Sequence, residues 1–149
     1  IPVKESESRE GIGREIPNTY VPARNMIFLG IGVALAEAVG ASRVFIGANS
    51  IDFSGYPDCR PEFIEAFQRA AELGTRAGAE GRPVRIEAPL LRMSKADIVR
   101  KGAGLGVPFG MTWTCYSGGR RACGKCEACQ LRMEGFREAG IVDPVGYSD

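Results

Sequence analysis

The sequence predicts an α/β fold, a parallel sheet flanked by helices, with a cysteine-bearing segment at its C-terminal end. Two observations predict it. From residue 20 onward, short apolar runs alternate with stretches patterned as helices, and four of the five cysteines cluster between Cys115 and Cys129.

The elements follow in chain order. The first nineteen residues are polar and are expected to be mobile. "MIFLGIGVALAEAVG" is a strongly apolar helix that stops at Gly40. "RVFIGA", Arg43 to Ala48, is a short buried strand. "PEFIEAFQRAAELG" carries Pro61 in its first turn and places Phe63, Phe67 and Ala70 or Ala71 on one face. "VRIEAPL", Val84 to Leu90, is a second strand, and "SKADIVRKGAGLG" is a short helix whose Ser94 and Asp97 have capping-box spacing. "ACQLRMEGFREAG" makes a last helix closed by Gly140. This rhythm implies a parallel sheet covered on both faces. The expected division is 1–110 for the α/β part and 111–149 for the cysteine segment.

Composition narrows the class. With 149 residues, 44% hydrophobic content and a net charge of +1, the chain can bury a core of its own and is not a disordered segment. No stretch approaches the roughly 20 apolar residues of a membrane span, and the start lacks the regions of a signal peptide. A reducing, cytoplasmic location without membrane association is expected. Nineteen basic against eighteen acidic residues exert no bulk pull on nucleic acid.

Cys115, Cys123, Cys126 and Cys129 follow the spacing Cys-x7-Cys-x2-Cys-x2-Cys, while Cys59 stands apart in "YPDCRP". Two-residue spacing lets neighbouring thiolates converge on one ion, and Gly124 permits the tight turn between the first close pair. Tetrahedral zinc is the favoured reading; four thiolates would also accept an iron–sulfur cluster, and disulfides would need an oxidising compartment. A metal with four thiolates has no open position, so its role would be structural.

In open parallel sheets, ligands bind beyond the carboxyl ends of the strands. After the first strand comes "GANSIDFSGYPDCRP", richer in polar and turn-forming residues than a connection of about 2 to 6 residues requires. After the second comes "PLLRMSKADI", with Lys95 in the first helical turn, where backbone N–H groups and an ammonium suit an anion. A surface turn and a solvated lysine are the plain alternatives.

"VPARN" (Val21 to Asn25), "GANSIDFSGYPDCRPEF" (Gly47 to Phe63), "PLLRMSKADIV" (Pro89 to Val99) and "TWTCYSGGRRACGKCEACQLR" (Thr112 to Arg132) resemble the 7-cyano-7-deazaguanine synthase family. These are N-type ATP pyrophosphatases with an adenine nucleotide alpha hydrolase-like fold that serve queuosine biosynthesis. The resemblance implies ATP-dependent carbon–nitrogen ligation: 7-carboxy-7-deazaguanine is adenylated, ammonia displaces AMP, and a second activation dehydrates the amide to the nitrile, with Mg2+ on the phosphates. It implies Asp52, Ser54, Tyr56, Asp58 and Arg60 around the deazaguanine, with Arg24 and Asn25 near the nucleotide. From its place after a strand end and at a helix start, Lys95 is expected to be a catalytic and nucleotide-binding group, and the cysteine spacing puts zinc on Cys115, Cys123, Cys126 and Cys129. A homodimer is expected on the same ground, and no nucleic-acid partner.

One departure stands out. The family's phosphate loop, Ser-Gly-Gly-x-Asp-Ser, occurs nowhere between Ile1 and Asp149. The expectation is that the first strand, that loop and the next helix precede Ile1, which puts ATPase activity of this chain on its own in doubt. Two other readings stay open: a zinc-bearing nucleic-acid or protein-binding module, drawing on Arg120, Arg121 and Lys125, and another ATP pyrophosphatase acting on a tRNA base or a different carboxylate.

Overall fold

The computed structural model of the chain describes residue 16, residues 19–50 and residues 55–148. Most of the N-terminal stretch expected to be mobile, and Asp52 and Ser54, lie outside the described residues. The chain forms two compact units, Tyr20–Arg92 and one that runs on from Met93.

In the Tyr20–Arg92 unit the order is α1 (Arg24–Val39), β1 (Arg43–Phe45), α2 (Pro61–Gly74), α3 (Arg76–Ala79) and β2 (Arg85–Glu87). The strands are parallel, with Val44 opposite Ile86. A parallel pair needs a long crossover, which α2 and α3 supply. Val33 and Ala36 of α1, Ala71 of α2 and Val84 form a buried cluster, against which Val44, Ile86 and Phe67 pack. α1 approaches closely because Gly32 has no side chain: a Cβ there would stand 3.2 Å from Val44 Cγ1.

α1 ends as expected, with Gly40 at φ 73° donating its N–H to Ala36 and Glu37 carbonyls. Its buried stripe is Asn25, Leu29, Val33 and Ala36; Ile27, Phe28, Ile31 and Leu35 are more than half exposed. β1 departs from the expected buried strand. Arg43 and Phe45 are exposed, because their face of the sheet has no cover among the described residues. The outer edge of β2 is closed by a side chain: Ile86 N–H donates to Gln68 Oε1 (2.8 Å) and Gln68 Nε2 donates to the Val84 carbonyl (3.2 Å).

The second unit holds α4 (Lys95–Gly104), a 3-10 turn at Phe109–Met111 and α5 (Glu127–Ala139). α4 starts with the predicted capping box. Ser94 Oγ accepts the Asp97 N–H, and the Asp97 carboxylate accepts the Ser94 N–H. α4 packs along α5, with Ala96 and Val99 buried, and the Phe109 ring meets Phe136 edge-on at 5.0 Å. No helix among the described residues is long and apolar enough to cross a membrane.

Candidate metal centre and substrate loop

The four clustered cysteines converge. One Sγ from each of Cys115, Cys123, Cys126 and Cys129 lies within 4.8 Å of all the others. None is in a disulfide. A tetrahedron of sulfurs about 2.3 Å from a central zinc has edges of about 3.8 Å, so the cluster is the size of one ion with four thiolates.

The backbone is shaped for it. Gly124, at φ 68°, turns the chain so that Lys125 and Cys126 N–H both donate to Cys123 Sγ, at 3.4 and 3.2 Å. Around Cys115, the N–H groups of Ser117 and Cys123 donate to its sulfur at 3.4 and 3.3 Å. Such donors stabilise a thiolate. Burial pushes the Cys123 thiol up, but bonds from the Ser117 hydroxyl and from Cys126 and Lys125 N–H outweigh it and bring it to about 6. At Cys115 burial also raises the pKa, and the Cys123 and Ser117 N–H groups again prevail, leaving it below the ordinary value. Cys129, fully buried, goes the other way through burial and the Cys126 thiol beside it. A metal held by all four sulfurs takes them as thiolates, so its binding would release protons.

α5 and the tail brace this cluster. Cys126 is the N-cap of α5 and Cys129 lies in its first turn. Arg132, one turn on and buried, grips Asp143 with two bonds, Nε to Oδ2 at 2.8 Å and Nη2 to Oδ1 at 2.9 Å. It also donates to the Phe109 carbonyl and Thr112 Oγ1. Tyr147 OH donates to Asp143 Oδ2 at 2.7 Å, and the Tyr147 ring packs against the cysteine cluster. Sequence reasoning missed this clamp: Arg132 and Asp143 are eleven positions apart with no spacing signal between them.

In the other unit, the structure brings together two of the residues singled out in the sequence. Asn25 N–H donates to Asp58 Oδ2, and Asn25 Nδ2 donates to the Asp58 carbonyl, each at 3.0 Å, and to Cys59 Sγ at 3.2 Å. All three residues are buried. Asp58 thus caps the start of α1, whose N-cap, Ala23, has no capping side chain and sits at φ 57°. A left-handed alanine is uncommon; its N–H donates to the Tyr20 hydroxyl at 3.3 Å, and the Asn25–Asp58 bonds fix the backbone two residues on. Tyr56 is half-buried and lies near Tyr20, ring centroids 6.4 Å apart, while Arg24 and Arg60 are exposed. Lys95 is the first residue of α4, half-buried, with its Cβ against Gly135 of α5.

This pairing of an Asn25–Asp58 lock with a four-thiol centre occurs in a chain that matches a known family along most of its length. The family described as queuosine biosynthesis protein QueC matches residues 1–140. The chain belongs to the QueC family. It is 57% identical over 149 residues to the 7-cyano-7-deazaguanine synthase of Anaeromyxobacter dehalogenans, covering 99% of this chain and 63% of that protein. It is 50% identical over 148 residues to the synthase of the same name from Nostoc sp. PCC 7120, covering 99% and 65%. With the Acetivibrio thermocellus synthase it shares 56% over 134 residues, covering 90% and 60%. The chain therefore spans less than two thirds of the length of these QueC relatives.

Proposed function

We propose that the chain carries the substrate and metal-binding part of an enzyme that converts 7-carboxy-7-deazaguanine, ammonia and ATP to 7-cyano-7-deazaguanine. The support is the family match over residues 1–140 together with the relatives' name. A carboxylate resists ammonia until one oxygen becomes a good leaving group. In the proposed reaction that oxygen attacks the α-phosphorus of ATP and expels pyrophosphate; ammonia adds to the acyl carbon and AMP leaves. The resulting amide oxygen attacks the α-phosphorus of a second ATP, again expelling pyrophosphate, and loss of AMP and two protons from nitrogen leaves the nitrile.

This chain's residues take distinct parts in that reading. The loop ending in Tyr56, Asp58 and Arg60 holds the deazaguanine, with Asp58 and Asn25 fixing its backbone and exposed Arg60 free to face a carboxylate. Asp52 and Ser54 belong to the same loop, and Arg24 borders the nucleotide. Lys95, at the N-terminal end of α4, neutralises charge on the phosphates, a task shared with Mg2+. Zinc on Cys115, Cys123, Cys126 and Cys129 supplies rigidity, with no open position for substrate. A reducing, cytoplasmic compartment suits four reduced thiols.

The test is turnover with 7-carboxy-7-deazaguanine in the active enzyme. Lys95→Met should lower the rate of AMP formation by roughly 10² to 10³, the scale of losing one preorganised charge. Asp52→Ala and Arg60→Ala should weaken deazaguanine binding far more than ATP binding. Normal AMP formation in Lys95→Met, or binding of tRNA in place of the deazaguanine, would overturn the reading.

A further inference from the structure

α5 carries two features on one stripe. Its buried residues are Cys129, Arg132, Gly135 and Phe136, spaced 3, 3 and 1, and therefore on one face of the helix. The first belongs to the four-thiol centre, and the third touches Lys95. A Cβ built on Gly135 would stand 2.7 Å from Lys95 Cβ, 3.2 Å from its carbonyl carbon and 3.4 Å from its carbonyl oxygen. Real Cβ atoms do not come that close, so α5 meets the first turn of α4 backbone to backbone, with no side chain between them to absorb a shift.

A helix transmits both position and rotation. Gly135 lies nine residues beyond the N-cap Cys126, about 13 Å along a rigid axis. A metal that holds Cys126 and Cys129 sets where along that axis Gly135 sits and which face it turns. A rotation by one residue, about 100°, would present Glu134 or Phe136 to Lys95, and neither fits the space. A second tether runs the same way: Arg100 Nη2 donates to the Glu138 carbonyl at 2.7 Å while Arg100 Nη1 bonds Asp97, the capping-box residue, at 3.0 Å.

We propose that the four-thiolate centre sets the position of Lys95 through α5, with Gly135 as the positioning residue. The metal site is then part of the apparatus that aims the phosphate-facing lysine, beyond its service as a brace for the chain end. The proposal rests on the reading of Lys95 given above for its consequence in turnover, but not for the coupling itself.

Amide exchange separates the two. In the zinc-loaded chain, the Asp97 and Ile98 N–H groups are held by Ser94. Gly135→Ala should keep one zinc per chain yet make these two amides exchange roughly tenfold faster. Gly104→Ala, on the same helix pair but with nothing within 4 Å of the new Cβ, should leave them unchanged. Removing zinc with a chelator should reproduce the Gly135→Ala effect while leaving amides of residues 20–92 protected. In the active enzyme, Gly135→Ala should lower kcat for AMP formation about tenfold with KM for 7-carboxy-7-deazaguanine unchanged. Unchanged exchange at Asp97 and Ile98 in both Gly135→Ala and the zinc-free chain overturns the coupling. So does a loss spread equally over residues 20–92, which would make zinc a support for the whole chain. If exchange changes as expected but Lys95→Met forms AMP normally, the coupling stands and the catalytic reading of Lys95 falls.

Discussion

Replacing Asp143 with Asn is the most direct probe of the clamp that braces the cysteine cluster. The side chains of Asp143 and Arg132 are only 9% and 7% exposed. Asp143 accepts four hydrogen bonds: from Arg132 Nε and Nη2, from Val145 N–H at 3.1 Å and from Tyr147 OH. Asn keeps the shape but offers one oxygen. Its amide would face donors on the other side, and the Arg132 guanidinium would stay buried without a counter-charge.

Removing one partner of a buried pair costs about 3–5 kcal/mol, against about 5–15 kcal/mol for a whole domain. Trp113 is the chain's only tryptophan and donates its indole N–H to the Cys115 carbonyl at 2.9 Å, so its fluorescence reports on this region. In urea, the midpoint of the zinc-loaded variant should fall by roughly 2–3 M, given a slope of about 1.5 kcal/mol per M. Burial raises the Asp143 carboxyl, but bonds from Arg132, Tyr147 and Val145 outweigh it and hold it below its ordinary range. Its contribution is then present above the unfolded value, about 3.9, and is lost as pH falls through the lower folded one. Both proteins lose stability in acid as other groups protonate, but the advantage of wild type over Asp143→Asn should shrink as pH falls through that window. A midpoint shift worth less than about 1 kcal/mol would refute the claim that this pair is a structural clamp.

Other consequences can be checked beside it. The chain should hold one zinc with four sulfurs near 2.3 Å by X-ray absorption, and Cys129→Ser should lose it; zinc binding is worth about 10–16 kcal/mol in comparable small sites. Asn25→Ala should cost about 1–3 kcal/mol by denaturation, because it leaves the buried Asp58 carbonyl without its donor, and should weaken deazaguanine binding in the active enzyme. Tyr147→Phe should cost about 1 kcal/mol, one hydrogen bond, and retain zinc, since the ring still packs on the cysteine cluster.

Local chemistry was legible in the sequence, and relations between distant residues were not. The capping box at Ser94 and Asp97, Pro61 at the start of α2 and the stops at Gly40 and Gly140 depend on neighbours a few positions away, so residue types alone revealed them. The cysteine spacing revealed the four-thiol centre for the same reason, since one turn at Gly124 and one turn of helix bring three of the sulfurs together. The apolar run at Val44 and Phe45 read as a buried strand, yet burial needs a neighbour on each face, and Phe45 remains 67% exposed. Only tertiary structure paired Asn25 with Asp58, Arg132 with Asp143 and Gly135 with Lys95. Each joins elements separated by a turn or a whole helix, where distance along the chain carries no information about distance in space. A glycine, an arginine or an asparagine in a helix looks ordinary until packing decides what stands opposite it.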